Sequence, residues 1–231
     1  MELTSRAPAI RSRRERPAKP ALSREAIVEA AVRVFHEDGL SRVTLRRLAT
    51  ELDTGHASLY VYLRDTSDLH AEILDVQLAE VRTPNQGAEW RSALIALLID
   101  YGRVLLAHPD LAAAAIRTRP EGPNSARIVE TILQLLAAGG ITGRTAAWGV
   151  DLLLQYPTAI AAEHAGTATE GIDEPDTART AIDVRRHPLT AGAGEELGSG
   201  TPLERATWAV GVLIDGLHAQ TTGHRRTQEQ R

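Results

Sequence analysis

Ala57-Ser58-Leu59-Tyr60-Val61-Tyr62-Leu63-Arg64 is the stretch on which the fold turns. It follows Asp53-Thr54-Gly55-His56, where the apolar spacing breaks off as it does at a tight turn. Before that break Thr44, a helix-capping residue, is followed by Leu45, Leu48, Ala49 and Leu52, whose spacing predicts a short helix. After it, Ala57, Leu59, Tyr60 and Leu63 predict a third short helix. Upstream, Ile27, Ala30, Ala31, Val34 and Phe35 form one apolar stripe, capped by Ser23 and closed by Gly39. Downstream, Thr66 or Ser67 is expected to cap a fourth helix running through Leu69, Ile73, Leu74 and Leu78 to about Val81. Two short helices joined by a turn and braced by a longer one in front have the arithmetic of a helix-turn-helix.

The charge divides at the same place. The chain has 231 residues with a formal net charge of −4. Residues 1–64 hold 12 basic and 8 acidic side chains, and the rest hold 14 and 22, so +4 is joined to −8. A basic end on an acidic body suggests that only the first part faces a polyanion. Arg6, Arg11, Arg13, Arg14, Arg16 and Lys19 crowd the first twenty residues, where Pro8, Pro17 and Pro20 prevent a continuous helix. This arm is expected to be disordered. It lacks the apolar segment of a signal peptide, and no uncharged apolar run approaches the roughly 18 residues of a membrane span. With no Cys, a disulfide framework, a thiolate nucleophile and a cysteine zinc site are excluded.

The remainder also reads as helices, so the chain is expected to be all-α. Trp90, Leu94, Leu97, Leu98, Tyr101 and Leu105 predict a helix ending before His108-Pro109, with a short apolar piece from Leu111 to Ile116. Asn124 is placed to open a helix carrying Ile128, Ile132, Leu135 and Leu136. Thr142 or Thr145 opens another through Trp148, Leu152, Leu153 and Tyr156, with a kink expected at Pro157. Residues 166–200, rich in Gly, Thr, Pro and acid, read as a mobile loop. In a last helix from about Pro202 to Thr221, Leu203, Ala206, Val210, Leu213 and Leu217 follow the 3, 4, 3, 4 seam of packed helices. Trp208, Val212 and Ile214 lie off that seam, so a second covering surface, such as a partner subunit, is called for.

The stretch from Ser23 to Val81 resembles the DNA-binding domain of the TetR family of bacterial one-component transcription regulators. Ala30, Phe35, Gly39, Thr44, Arg47-Leu48-Ala49, the stretch from Ala57 to Arg64 and Leu69 carry the likeness. In that family a small residue, Ser or Thr, an aliphatic residue or Phe, Tyr, any residue, Tyr or His, an aliphatic residue or Phe, and a basic residue mark the recognition helix. The resemblance implies a homodimeric, cytoplasmic regulator of double-stranded DNA, with repression as the commoner mode. Its parts would be the arm (1–20), a three-helix helix-turn-helix domain (21–66) and a helical ligand-binding and dimerisation domain (67–231). Thr44 would hold a phosphate at a helix N-terminus, and Arg46 a phosphate or a guanine edge. His56 and Ser58 would reach base edges, while Tyr60, Tyr62 and Arg64 resemble backbone-contacting positions. Packing alone is the competing account of Tyr60, and a solvent-facing turn that of His56. Asp53 replaces a common Gly and Thr66 a common Lys, lowering positive charge near DNA. Arg11, Arg13 and Arg14 of the arm are expected to make up the difference in phosphate or minor-groove contacts.

His108 to Ala165 resembles the tetracycline-repressor type of core, through Pro109-Asp110-Leu111, Thr118-Arg119-Pro120, Gly122-Pro123-Asn124 and Gly139-Gly140-Ile141-Thr142. Ala115 and Ile132 stand where those repressors place a metal-coordinating His and a ligand-binding Gln, which argues against a magnesium-tetracycline complex. Trp90, Tyr101, Arg119, Trp148, Gln155, Tyr156 and His164 are pocket candidates, large or polar among apolar neighbours. Aromatic faces with a few convergent donors would suit a flat, largely apolar effector, although packed core or surface is the competing account of each. Trp208, Val210, Leu213 and Leu217 are candidates for a dimer interface.

Rival readings fare worse. Gly139 to Thr145 has the wrong glycine spacing for a phosphate loop and Arg144 in place of its Lys, and Gly192-Ala193-Gly194 lacks a third glycine and a preceding strand. The eight His residues include no HExxH, so neither a catalytic metal nor a cofactor is expected, and Asp173, Glu174 and Asp176 read as a solvated loop. A helical protein-interaction module and a small-molecule carrier that does not bind DNA stay open as alternatives.

Overall fold

The computed structural model describes residues 22–85, 87–118, 120–165, 185–194 and 196–229, with side chains to 221. The described residues form helices and turns and contain no strand. Helix α1 (Arg24–Asp38) begins at Ser23, whose hydroxyl accepts from the Ala26 N–H at 3.1 Å, and ends at Gly39, φ +83°. Its Ile27, Ala30, Ala31 and Val34 are buried, the stripe that their spacing predicts. Helix α2 (Leu45–Glu51) is capped by Thr44, as expected, and closes at Asp53, a non-glycine residue at φ +46°. Gly suits such a position best, since L-residues are strained in this conformation, Asp less than most.

The signature stretch is less helical than its spacing predicts. Helix α3 covers only His56–Leu59, and residues 60–62 turn so that Leu59 and Leu63 both reach the core. Helix α4 (Thr66–Gln77) is capped by Asp65 rather than by Thr66 or Ser67. Asp65 is extended, and its carboxylate accepts from the Asp68 N–H at 2.9 Å, a charged acceptor that suits the positive end of a helix better than a hydroxyl does. A 3-10 turn, Leu78–Glu80, carries the chain to buried Val81.

Helix α5 (Trp90–Leu106) runs through the middle of the larger core, touching α6 (Pro109–Ala115), α7 (Pro123–Ala138), α8 (Gly143–Glu163) and α10 (Pro202–Glu229). Its Leu94, Leu97, Leu98, Val104 and Leu105 are buried. The chain turns by 111° between α5 and α6, with Pro109 at the first position of α6. Pro157 lies inside α8, which continues to Glu163, and faces Gly102 of α5, where a Cβ would approach its ring to 3.3 Å. Of the expected loop, 166–184 and 195 lie outside the described residues, while helix α9 (Pro188–Gly192) and a 3-10 turn, Glu196–Gly198, occupy part of the rest. No single helix among the described residues is long and apolar enough to cross a membrane.

The turn after α4 is held by Asp100 of α5, 6% exposed. It accepts from the Arg82 backbone N–H at 2.8 Å, from Arg82 Nη2 at 2.6 Å and from Arg103 Nε at 2.9 Å. The Arg82 side-chain hydrogen bond, aided by Arg103, holds the Asp100 carboxyl well below the usual carboxylate range despite its burial.

Two outcomes follow from these local constraints. Asp53→Val is expected to cost about 1–2 kcal/mol in urea unfolding, whereas Asp53→Gly stays within about 0.5 kcal/mol of the parent. Equal stabilities for the two variants would show that the left-handed backbone there carries no strain. Because the Asp100 pKa is depressed by folding, its contribution is complete above the ordinary carboxylate value of about 4 and is lost as pH falls through the folded-state value. Asp100→Asn should therefore be less stable at neutral pH and lose less stability than the parent on acidification below about pH 4. Acid curves that stay parallel would contradict that assignment.

Candidate nucleic-acid interface and ligand cavity

In the N-terminal helices, burial of Leu45, Leu48, Ala49 and Leu59 turns the opposite faces of α2 and α3 outward. Thr44, Arg46, His56 and Ser58 are all exposed, and Tyr60 is 51% exposed with its ring edge-on to His56 at 5.3 Å. Val61, absent from the sequence candidates, is 79% exposed. Its exposure depends on the turn at 60–62, which helical spacing does not anticipate. Arg47 is tied to Asp38 and Glu51, and Arg64 to Asp68 at 2.9 Å, although the Arg64 side chain keeps 78% of its surface.

Tyr62 departs from the expectation of a phosphate contact. It is half-buried, its hydroxyl donates to the Leu22 carbonyl at 2.7 Å, and its own carbonyl accepts from Arg24 Nη1 at 2.6 Å. Arg24 also pairs with Glu72 of α4. With its one proton spent inside the fold, Tyr62 braces the start of α1 and has no donor left for a phosphate. Arg11, Arg13 and Arg14 lie outside the described residues.

In the larger core, a cavity of about 370 Å³ opens between α5, the α6–α7 connection, α7 and α8. Apolar side chains, among them Ile116, Ile128, Val129, Val150 and Leu154, form much of its wall. Tyr101, Ser125, Asp151, Gln155 and Thr158 supply the polar groups. The size suits a small organic ligand. Two hollows of about 660 Å³ are open grooves, one between the N-terminal helices and the α6–α7 connection, the other along α5 and α10.

Of the sequence candidates, Tyr101 and Gln155 line the cavity and Arg119 lies outside the described residues. The other four do not line it. Trp90 packs on the end of α7, where a Cβ on Gly139 would come within 2.8 Å of its ring. Trp148 is 69% exposed with the Arg144 guanidinium 5.5 Å from its ring centre. Tyr156 is half-buried against the core, and exposed His164 bonds to the Ile160 carbonyl through Nδ1 at 2.8 Å. Ala115 is in the cavity wall, but Ile132 is fully buried away from it. On α10, Val210 is 1% exposed and belongs to the chain's own core, which removes it from any interface. Leu213 and Leu217 are half-buried against that core, while Trp208 is 72% exposed. Trp148, Leu152, Leu203 and Val212 add exposed apolar surface on α8 and α10.

A buried carboxylate connects the two regions. Asp75 of α4, 4% exposed, accepts from the Ser125 N–H at 2.7 Å and the Asn124 N–H at 3.2 Å, capping α7 from another helix. Asn124, expected to open α7, instead sits in its first turn behind Gly122 and Pro123. Gly122 is required by the close approach, because a Cβ there would fall 2.2 Å from the Asp75 carboxyl carbon. Ser125 also donates its hydroxyl to the Pro120 carbonyl at 2.8 Å and lines the cavity.

Two family descriptions match this chain: "Bacterial regulatory proteins, tetR family" over residues 27–73 and "Tetracyclin repressor-like, C-terminal domain" over residues 83–221. An HTH-type transcriptional regulator of Saccharopolyspora erythraea is 40% identical over 124 residues, 53% of this chain and 52% of that protein. The chain thus spans about half the length of the curated relatives it matches first. A solved transcription regulator from Streptomyces coelicolor superposes with a TM-score of 0.74 at 44% identity, covering 87% of this chain and 96% of the other. ActR of Streptomyces coelicolor, solved with actinorhodin, gives 0.72 at 31% identity, covering 87% and 99%.

The Asp75 cap makes a measurable prediction. Asp75→Ala leaves the first N–H groups of α7 without their acceptor and is expected to cost about 1–2 kcal/mol in chemical unfolding, with Asp75→Asn losing less. Unchanged stability in the alanine variant would mean that the cap contributes nothing.

Proposed function

The chain belongs to the TetR family, DNA-binding regulators that carry a ligand-binding domain, and from that premise we propose that it is a homodimeric repressor released from a palindromic operator by a small effector. The observation that carries this reading is the outward polar set of α2 and α3, mounted on α4, whose Asp75 is bonded into the wall of an apolar cavity. Thr44 and the N-terminus of α2 hold a phosphate, and Arg46 takes a phosphate or guanine. His56 and Ser58 read base edges, Val61 meets a thymine methyl, and Tyr60 and Arg64 contact the backbone. Arg11, Arg13 and Arg14 add phosphate or minor-groove contacts from the arm. The operator is in the bacterial cytoplasm, where the regulator acts without catalysing a reaction.

Pairing of two chains through α8 and α10 covers Trp148, Leu152, Trp208 and Val212. Each dimer presents two α3 helices to major grooves about 34–36 Å apart. An effector in the cavity shifts the population toward a wrongly spaced dimer. To matter, it must favour that state by roughly tenfold to hundredfold, since equal affinity for both states shifts nothing.

Selection of bound sequences from random DNA is expected to return a palindrome. On it, Arg46→Ala should weaken binding by about 1–3 kcal/mol, and removal of residues 1–19 should lower affinity and flatten its salt dependence. Recovery of no specific site would sink the regulatory reading; an unchanged salt slope would remove the arm from it.

A further inference from the structure

The direction of the hydrogen bonds in the cavity wall constrains what fits there. Thr158 has one hydroxyl proton, and it donates to the Leu154 carbonyl at 2.7 Å within α8. The contact between Tyr101 Oη and Thr158 Oγ1, 3.0 Å, must therefore be donated by the tyrosine. Tyr101 has then spent its proton, and what it offers to the cavity is a lone pair. Burial pushes its pKa up, so it stays a neutral phenol at physiological pH. Ser125 is in the same condition, its proton given to the Pro120 carbonyl at 2.8 Å. Among the other polar lining groups, Gln155 brings N–H donors. No Lys, Arg or His is among the described lining residues. The convergent donors anticipated from the sequence are thus replaced by convergent acceptors.

We infer that the cavity selects a neutral ligand whose hydroxyl donates to Tyr101, and that it rejects the corresponding ether and carboxylate. This rests on the cavity being the effector site. An ether brings a second lone pair against Tyr101 and leaves both unsatisfied in a buried place. A carboxylate meets an apolar wall in which no described lining residue is a Lys, Arg or His to offset its desolvation. Thr158 sets the preference indirectly, as a positioning residue that fixes where the tyrosine proton points.

The test is calorimetric titration of the full chain at neutral pH with 2-naphthol, 2-methoxynaphthalene and 2-naphthoate. The naphthol is expected to bind roughly fivefold or more tightly than the ether, with the naphthoate weakest. Tyr101→Phe should bring naphthol and ether to similar affinity. Thr158→Val frees the tyrosine proton to point into the cavity, so the ether should gain on the naphthol, an inversion that mere loss of packing would not produce. Ala159→Trp, filling the cavity, should abolish binding of all three, with its melting curve checking that it folds. Equal naphthol and ether affinities in the parent, or tightest binding of naphthoate, both abolished by Ala159→Trp, overturn the hydroxyl selectivity and leave the cavity as the site. Binding of none of the probes, or binding that survives Ala159→Trp, overturns the cavity assignment and the selectivity with it.

Discussion

Helix α4 belongs to two assemblies at once, and this shared membership constrains everything else in the chain. Toward the N-terminal helices, Glu72 pairs with Arg24 of α1 and Gln77 lies 3.4 Å from His36. Toward the larger core, Asp75 caps α7, and Arg127 of α7 donates to the carbonyls of Leu78 and Val81 at the helix's end. Close-packed interiors resist continuous deformation. A buried carboxylate cannot be pulled off its N–H donors without paying for desolvation unrepaid by water. Helix α4 therefore moves with α7, and the N-terminal helices move with α4.

The same ion pairs that brace the N-terminal helices change the meaning of their positive charge. Arg24, Arg33, Arg47 and Arg64 each contact a carboxylate on their own or a neighbouring element. Arg42 and Arg46 are exposed and form no ion pair among the described residues. Residues 22–64 hold six basic and six acidic side chains, so the excess of +4 over residues 1–64 lies in residues 1–21, and the unpaired basic groups that follow, Arg42 and Arg46, gather at the start of α2. Thr44 and the free N–H groups of that helix add a partial positive charge at the same spot. The proposed phosphate contacts therefore fall there and in the arm, rather than over the whole basic segment.

Local signals in the sequence carried the helices well, because a cap and an apolar stripe act within a few residues. Ser23, Gly39 and Thr44 do what their positions suggest. Where two capping residues adjoin, as at Asp65 and Thr66, spacing cannot decide, and the backbone conformation of Asp65 does. Contacts made across the fold were invisible. The cap of α7 comes from Asp75, some fifty residues away, and its only trace in the sequence is the absence of a capping side chain at Gly122. An aromatic residue among apolar ones reads alike in a cavity wall, in a packed seam and on a surface, so spacing does not separate Tyr101 from Trp148. Val210 satisfies a helix-packing seam with its own core, a choice of partner that periodicity does not encode.

Ser125 is where cavity and latch meet. Its backbone N–H is held by Asp75, its hydroxyl proton by Pro120, and the residue lines the cavity. An effector shifts an equilibrium only through groups whose surroundings differ between the two states. Apolar contacts with Ile128 or Val150 can supply affinity, but neither residue is bonded to α4. A ligand hydroxyl that engages Ser125 pulls on the same turn whose N–H groups anchor the Asp75 carboxylate. In the proposed mechanism affinity and coupling are thereby carried by different atoms of one wall, so a molecule can fill the cavity tightly and still leave α4, and the face it carries, where they were.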